Sequence, residues 1–188
     1  MKFPTLTVLR HREFRLLISA RFASQLGNQA TTVALGFAVL ALTGRAGDVG
    51  LVLAVEGFAI GGFLLLGGML GDRFSRRRLM IYADLIRLVS QGIMAVLLIS
   101  GVAQVWHLVI LQIVSGTASA CYIRAVTGIQ AGTVPSERLR DANALRGLVI
   151  AVAGVLGPAL GGTLATLVDP AYVLGLDAFT FAVSALLV

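Results

Sequence analysis

Glu56 is the ionisable residue whose position most strongly suggests chemistry, because it lies within an apolar run over residues 49–70. A charge that deep in hydrocarbon costs about 2.5–3.5 kcal/mol on insertion scales, so its carboxylate must be paired, hydrated or protonated. A carboxylate that takes up and releases a proton in such a place is a candidate proton site. The alternative is a structural ion pair with an arginine from a part of the protein outside this chain.

Other ionisable residues also lie in apolar surroundings. Asp84 and Arg87 are three residues apart, a spacing that lets two side chains meet on one face of a helix. Asp177, near the start of the last apolar segment, is a weaker acidic candidate than Glu56.

Charge is concentrated in the stretch from Gly68 to Arg78, between two apolar runs. Asp72 and Arg73 are adjacent there, and Arg76, Arg77 and Arg78 follow closely. Asp72 would end a helix, where the helix dipole disfavours an acid, so we expect it to have a partner outside that helix. The N-terminus of another helix would suit it. The alternative for the arginines, above all Arg77 and Arg78, is that they only fix the orientation of the chain in a membrane.

Polar side chains form two stripes at helical spacing. The first consists of Gln25, Asn28 and Thr32, and the second of Gln112, Ser115, Ser119 and Tyr122. Each set falls on one helix face, and polar groups in hydrocarbon need partners or water, so both faces should point inward. Ordinary hydrogen bonds between helices, worth about 0.6 kcal/mol each, would explain a single Ser or Thr. Two aligned stripes favour the lining of a polar cavity.

The composition indicates that these residues lie in a membrane. Hydrophobic residues make up 57% and charged residues 13% of the 188 residues, whereas about a quarter of a globular domain is charged. The basic pI of about 10.7 does not indicate nucleic-acid binding, since the basic residues cluster in short loops. The single Cys121 excludes an internal disulfide. We find no ATP-binding loop, metal cluster or nucleophile constellation in the sequence, which predicts no cofactor, no metal and no enzymatic activity.

Six segments have the length and apolar character of a membrane span, which takes about 20 residues. They cover residues 16–42, 49–70, 79–100, 105–132, 145–168 and 172 to the end. No stretch alternates as a barrel strand would. The predicted fold class is an all-α membrane protein with a cytoplasmic leader over residues 1–15 and a six-helix bundle over residues 16–188. The last segment offers about 17 residues, so we expect its helix to be cut short.

Lysine and arginine positions predict the orientation. If the six segments alternate, one side of the membrane receives Lys2, Arg10, Arg12, Arg15, Arg73, Arg76, Arg77, Arg78, Arg138 and Arg140. Only Arg45 falls clearly on the other side. The N-terminus is therefore predicted to be cytoplasmic.

Three sequence motifs are GMLGDRFSRR at residues 68–77, GPALGG at residues 157–162 and VPSERLRDANAL at residues 134–145. Together they resemble motifs of the major facilitator superfamily, and in particular of its drug-efflux branch of macrolide efflux proteins and the enterobactin exporter. The first is similar to the family's loop between the second and third helices, although Ser75 stands where glycine is usual. The second resembles the antiporter motif of exporters, and the third resembles the segment before the fifth helix in the same branch.

This resemblance implies two inverted three-helix repeats, which would form the N-terminal half of a twelve-helix transporter. It implies a cytoplasmic gating loop that includes Gly68, Asp72, Arg73, Arg76 and Arg77, and an antiporter-like motif of Gly157, Pro158, Gly161 and Gly162. It likens Asp84 and Arg87 to the acid and base that often follow the loop. The family's cavity is lined largely by its first and fourth helices, in agreement with the two stripes.

Two residues depart from the pattern of related exporters. Asn28 follows Gly27 where aspartate is frequent, and Gln112 stands four residues before Gly116 where many antiporters carry arginine. Neither side chain can exchange a proton.

The expected function is proton-coupled efflux of a small amphipathic molecule, a drug or a siderophore, by alternating access in a bacterial inner membrane. The expected partners are the lipid bilayer, the substrate and a second six-helix bundle, and not nucleic acid. One alternative is a truncated or regulatory half without transport activity of its own. Another is an importer, which the GPALGG motif disfavours.

Overall fold

Six α-helices account for almost all of the chain that the structure, a computed structural model, describes: residues 12–73, 75–133 and 139–187. The helices are α1 Arg12–Thr43, α2 Ala46–Arg73, α3 Arg76–Ile99, α4 Val105–Thr133, α5 Leu139–Leu167 and α6 Pro170–Leu187. These ranges contain no strand, and the predicted all-helical fold is confirmed. Residues 1–11 of the predicted leader lie outside the described residues.

Most of these helices have the properties of membrane spans. In the described part of the chain, five are long and apolar enough to cross a membrane, and α6 is an apolar helix of shorter length. Large apolar side chains cover the outside of the bundle, with Phe58 79% exposed and Val155 71% exposed. Trp106 and Tyr172 are exposed near the first turns of α4 and α6, as expected for aromatic residues at a membrane interface. The protein is a multi-pass membrane protein.

The helices pack in a pattern with internal two-fold character. The second helix of each sequence half packs against the first helix of the other half, so α2 lies on α4 and α5 lies on α1. The third helices follow the same rule, with α3 on α4 and α6 on α1, and α3 and α6 pack on each other. This arrangement is the one expected of two inverted three-helix repeats.

Glycines allow the helix backbones to approach closely where α5 packs on α1 and where α4 packs on α2. A side chain at Gly161 of α5 would lie 2.7 Å from the Cα of Ala30 in α1. A side chain at Gly116 of α4 would lie 2.7 Å from the carbonyl oxygen of Glu56 in α2. Van der Waals packing between close backbones is a main source of helix association in lipid, where no hydrophobic force acts between helices. These glycines therefore set the distances α1–α5 and α2–α4.

The short turns have residues suited to their backbone angles. Gly44 and Gly101 end α1 and α3 with φ of 66° and 71°, in the left-handed region that glycine enters without a side-chain clash. Ser75 precedes α3 with φ of −61° and ψ of 129°. This extended conformation is open to any residue, so serine at the usual glycine position of the loop strains nothing.

We predict that Gly161→Val destabilises the bundle while Gly147→Val does not. Both glycines are in α5, but a Cβ at Gly147 meets no atom within 4 Å, whereas a Cβ at Gly161 meets the backbone of Ala30. Overpacking of a close contact costs about 1–3 kcal/mol, so Gly161→Val should lower the thermal midpoint of the detergent-purified protein. Equal midpoints for the two variants would contradict the close contact between α1 and α5.

Candidate functional site

Buried polar side chains form a polar layer between the helices, in addition to two apolar clusters. One cluster includes Leu35 and Leu108, and the other includes Met80 and Val126. The layer consists of Arg21, Ser24, Thr31, Asp84, Arg87, Ser90, Gln91, Gln112, Ser115, Ser119, Asp177 and Ser184, all buried. Polar groups are costly in hydrocarbon and mark functional paths in membrane proteins. The layer is therefore the region in which to look for a site.

A polar pocket of about 180 Å³ lies within this layer. It is lined by Arg21, Ser24, Gln25, Asn28, Ile60, Arg87, Ser119, Tyr122 and Ile123. Four helices therefore contribute to it, and most of its wall comes from α1 and α4. Larger grooves of about 360 and 490 Å³ lie between α3 and α4, but their walls are mostly apolar side chains, several of them exposed on the outside of the bundle. Compared with these two grooves, the smaller pocket has the groups that can recognise a polar ligand.

Asp84 and Arg87 form a buried ion pair on one side of the pocket. Arg87 Nη1 lies 3.3 Å from Asp84 Oδ1, and Ser184 of α6 donates a hydrogen bond of 2.7 Å to Asp84 Oδ2. The Arg87 guanidinium lies over the Phe181 ring at 3.9 Å and near the Tyr122 ring at 5.4 Å. The pair therefore joins α3 to α6 and fixes the position of Arg87 beside the pocket.

Glu56 is held by a neighbouring helix. Its Oε2 accepts a hydrogen bond of 3.3 Å from Nε2 of Gln112 in α4. The other amide atom, Gln112 Oε1, is buried and has no hydrogen-bond partner in the described part of the chain. The side-chain hydrogen bond that the described residues supply to Glu56 thus comes from a neutral amide.

Asp177 of α6 is almost completely buried, at 1% exposure. Its Oδ1 accepts a hydrogen bond of 3.1 Å from Thr180, and its Oδ2 has no partner among the described residues. A Cβ at position 27 would collide with Asp177 Oδ1, so Gly27 leaves room for this carboxylate. The structure thus places the Asp177 carboxylate of α6 next to Gly27. The next residue of α1 is Asn28, which is not an acid.

The two predicted stripes separate in the structure. Gln25 and Asn28 of α1, with Ser119 and Tyr122 of α4, line the pocket. Thr32 instead donates to the carbonyl oxygen of Asn28 within its own helix, at 2.9 Å. Gln112 bonds to Glu56, and Ser115 is buried in the same layer outside the pocket wall.

The other predicted site residues are not among the described residues that line the pocket. Gly68, Asp72 and Arg73 belong to the last turns of α2, and their side chains lie outside the described residues, whereas Arg76 and Arg77 are exposed at the start of α3. In the antiporter-like motif, Gly157 and Gly161 are buried against α1, Gly162 is near Val33, and Pro158 lies inside α5. The described residues contain no group of His, Cys, Asp and Glu that could hold a metal ion.

Arg21 and Ser24 belong to the pocket but were not predicted as site residues. The signal was present in the sequence, because Arg21 precedes Gln25 by four residues and Asn28 by seven and so extends the α1 stripe by one turn.

Comparison with known proteins places these features in a wider group. A family model described as transmembrane secretion effector matches residues 4–188. A protein of Bacillus subtilis (strain 168), named the uncharacterized MFS-type transporter YfiS, is 25% identical over 150 residues. The match covers 79% of this chain and 34% of that protein, so the chain spans about a third of the length of this relative.

We predict that Asp84→Ala is far more destabilising than Asp48→Ala. Both residues pair with an arginine three positions away, but Asp84 and Arg87 are buried, whereas Arg45 and Asp48 are 3.9 Å apart at an exposed turn. Removing one partner of a buried pair costs about 3–5 kcal/mol, because it leaves the other charge buried and unpaired. An exposed pair contributes about 1 kcal/mol or less.

The measurement is the thermal midpoint of each purified variant in the same detergent. A double variant, Asp84→Ala with Arg87→Leu, should recover part of the loss because no unpaired charge remains. Equal losses for the two single variants would contradict a structural role of the buried pair.

Proposed function

The chain belongs to the transmembrane secretion effector family of major facilitator proteins, and on this premise we propose that it is the N-terminal half of a proton-coupled exporter. The proposed substrate is a small amphipathic molecule, and the proposed location is a bacterial inner membrane with the N-terminus in the cytoplasm. A second six-helix bundle would complete the transporter.

The observation that carries the proposal is the polar pocket of about 180 Å³ between the helices of a bundle whose outer surface is apolar. Transporters of this architecture bind their substrates near the bilayer midplane, between their repeats. A pocket with walls from α1 and α4 fits that position. Rocking of this bundle against a second one would open the pocket to each side of the membrane in turn.

The pair of Glu56 and Gln112 supports proton coupling. A charged Glu56 accepts a hydrogen bond from the Gln112 amide nitrogen, at 3.3 Å. A protonated Glu56 becomes a donor, and the buried Gln112 Oε1 is an acceptor that has no other partner in the described part of the chain. An amide rotation therefore lets the pair satisfy either protonation state, which a proton carrier requires. Asp177 is a second candidate, since its Oδ2 and the Thr31 hydroxyl are both buried without partners in the described residues.

The resemblance to the drug-efflux branch is the reason why we propose export and not import. The segment GPALGG resembles a motif of exporters, and two of its glycines, Gly157 and Gly161, pack against α1. Because α1 lines the pocket, close packing of α5 on α1 couples the motif to the pocket wall. The acidic and basic residues at the end of α2 and the start of α3 would close the cytoplasmic side by binding the second bundle.

The test of export is a resistance and efflux screen with the gene's complete product in a bacterial strain that lacks its main exporters. We expect lower accumulation of at least one amphipathic dye or antibiotic. Asp72→Asn should abolish this effect without changing the amount of protein in the membrane, because it removes the charge of the proposed gate. Asp48→Asn, at the other end of α2, is the matched control. Normal accumulation of every compound would reject the proposed function, and full export by Asp72→Asn would reject the gate.

Proton coupling is tested in proteoliposomes with an imposed pH gradient and a compound identified by that screen. We expect Glu56→Gln to remove the response of the transport rate to the gradient, since an amide cannot carry a proton. Asp169→Asn is the control, because this acid is exposed at the turn before α6 and its cap to the amide of Ala171 at 2.8 Å survives the change. An unaltered gradient response in Glu56→Gln would exclude Glu56 as the carrier and leave Asp177→Asn as the next variant to test.

A further inference from the structure

Arg21 is a buried cation for which the described residues leave two donor atoms unsatisfied. It is 8% exposed, and its Nε and Nη1 atoms are buried with no hydrogen-bond acceptor in the described part of the chain. An uncompensated guanidinium in a low-dielectric interior is costly, and proteins normally pair such a charge. A negatively charged group bound in the pocket would supply such a pairing.

Two other arginines, Arg87 and Arg146, act on Arg21 as like charges. Arg87 is already paired with Asp84, and its Nε also has no acceptor among the described residues. Glu56 and Asp177 accept hydrogen bonds from Gln112 and Thr180 and are not among the residues that line the pocket. Of the described residues that line the pocket, the charged ones are Arg21 and Arg87, so Arg21 has no counter-charge in the described wall of the pocket.

Two hydroxyl groups add to this set of unused donors. Ser24 Oγ and Tyr122 Oη are buried without partners in the described residues, and both residues line the same pocket as Arg21 and Arg87. An anionic group can accept hydrogen bonds from both guanidinium groups and both hydroxyls. A cation would meet like charge, and a neutral ligand would leave Arg21 without a counter-charge.

The size and walls of the pocket limit the ligand further. Its volume is about 180 Å³, and a cavity of about 150 Å³ takes one benzene ring. Ile60 and Ile123 supply apolar wall beside the charged groups. The pocket thus fits one ring with one charged substituent.

We propose that this pocket binds the anionic, ring-sized head of the substrate, an aryl carboxylate or sulfonate, with Arg21 as its main counter-charge. This inference rests on the proposed function and narrows it, because it makes the exported molecules anionic amphiphiles. A carboxylate side chain from a second bundle would present the same chemistry, so the experiment must separate an external ligand from an internal one.

The probes are benzenesulfonate and benzenesulfonamide, which are close in shape but differ in charge at neutral pH. Binding is measured by calorimetry with the gene's complete product in lipid nanodiscs. We expect the sulfonate to bind more than about tenfold tighter than the sulfonamide, since loss of a buried charged hydrogen bond has at least that effect. Equal affinities for the two probes would overturn the proposal.

Arg21→Gln should abolish the preference for the sulfonate. Arg124→Gln is the matched control, because Arg124 lies on α4 outside the pocket and donates to the carbonyl oxygen of Leu64 at 3.0 Å. Arg21→Lys keeps the charge and should keep the preference at reduced affinity, so it tests the site if Arg21→Gln does not fold. A full preference in Arg21→Gln would overturn the proposal, as would its absence in folded Arg21→Lys.

An internal carboxylate would give a different result. The sulfonate would then not bind the wild type, and Arg21→Gln would lower the thermal midpoint of the ligand-free protein, which would also overturn the proposal. Efflux in the resistance screen together with equal affinities for the two probes rejects this inference alone. A sulfonate preference without efflux of any compound rejects the proposed function and retains the anion site.

Discussion

The absence of water around the bundle is the constraint from which its structure follows. Hydrocarbon offers no hydrogen bonds, so polar side chains away from the interfaces need partners within the protein. The structure meets this demand by burying Asp84, Arg87, Gln112 and Asp177 between the helices, while side chains such as Phe58 face outwards. Within the layer, acids paired or hydrogen-bonded by neighbouring helices join α2 to α4 and α3 to α6. The hydrogen bonds and the ion pair that satisfy these buried polar groups therefore also hold the helices together.

The glycines determine how closely this layer can be assembled. Gly161 allows α5 to lie on the backbone of α1, and Gly116 allows α4 to lie on the backbone of α2 beside Glu56. Gly27 leaves space for the Asp177 carboxylate on the opposite helix. Each of these glycines is next to a polar group of the layer or to the helix that carries it. The three glycines thus determine both how closely the helices pack and where the buried polar side chains lie.

The helices and the direction of their polar faces could be predicted from the sequence, because both depend on local periodicity. The predicted span at residues 145–168 lies within the longer α5, Leu139–Leu167, except at its last residue, since hydropathy marks the part in lipid and not the whole helix. Partners between helices could not be predicted. Gln112 meets Glu56 only because α2 packs on α4, and Asp177 meets Gly27 only because α6 packs on α1. Arg21 was missed because a basic residue near a helix end has a simpler explanation as a topology signal.

The exchange of helices between the two repeats has a consequence for biogenesis. Because α2 packs mainly on α4 and α5 on α1, a nascent chain that has inserted only its first three helices holds α2 without its principal neighbour. The α1 surface that will bury Ala30 against Gly161 is likewise open until the fifth helix arrives. Each repeat therefore reaches its final packing only when the other repeat is also in the membrane.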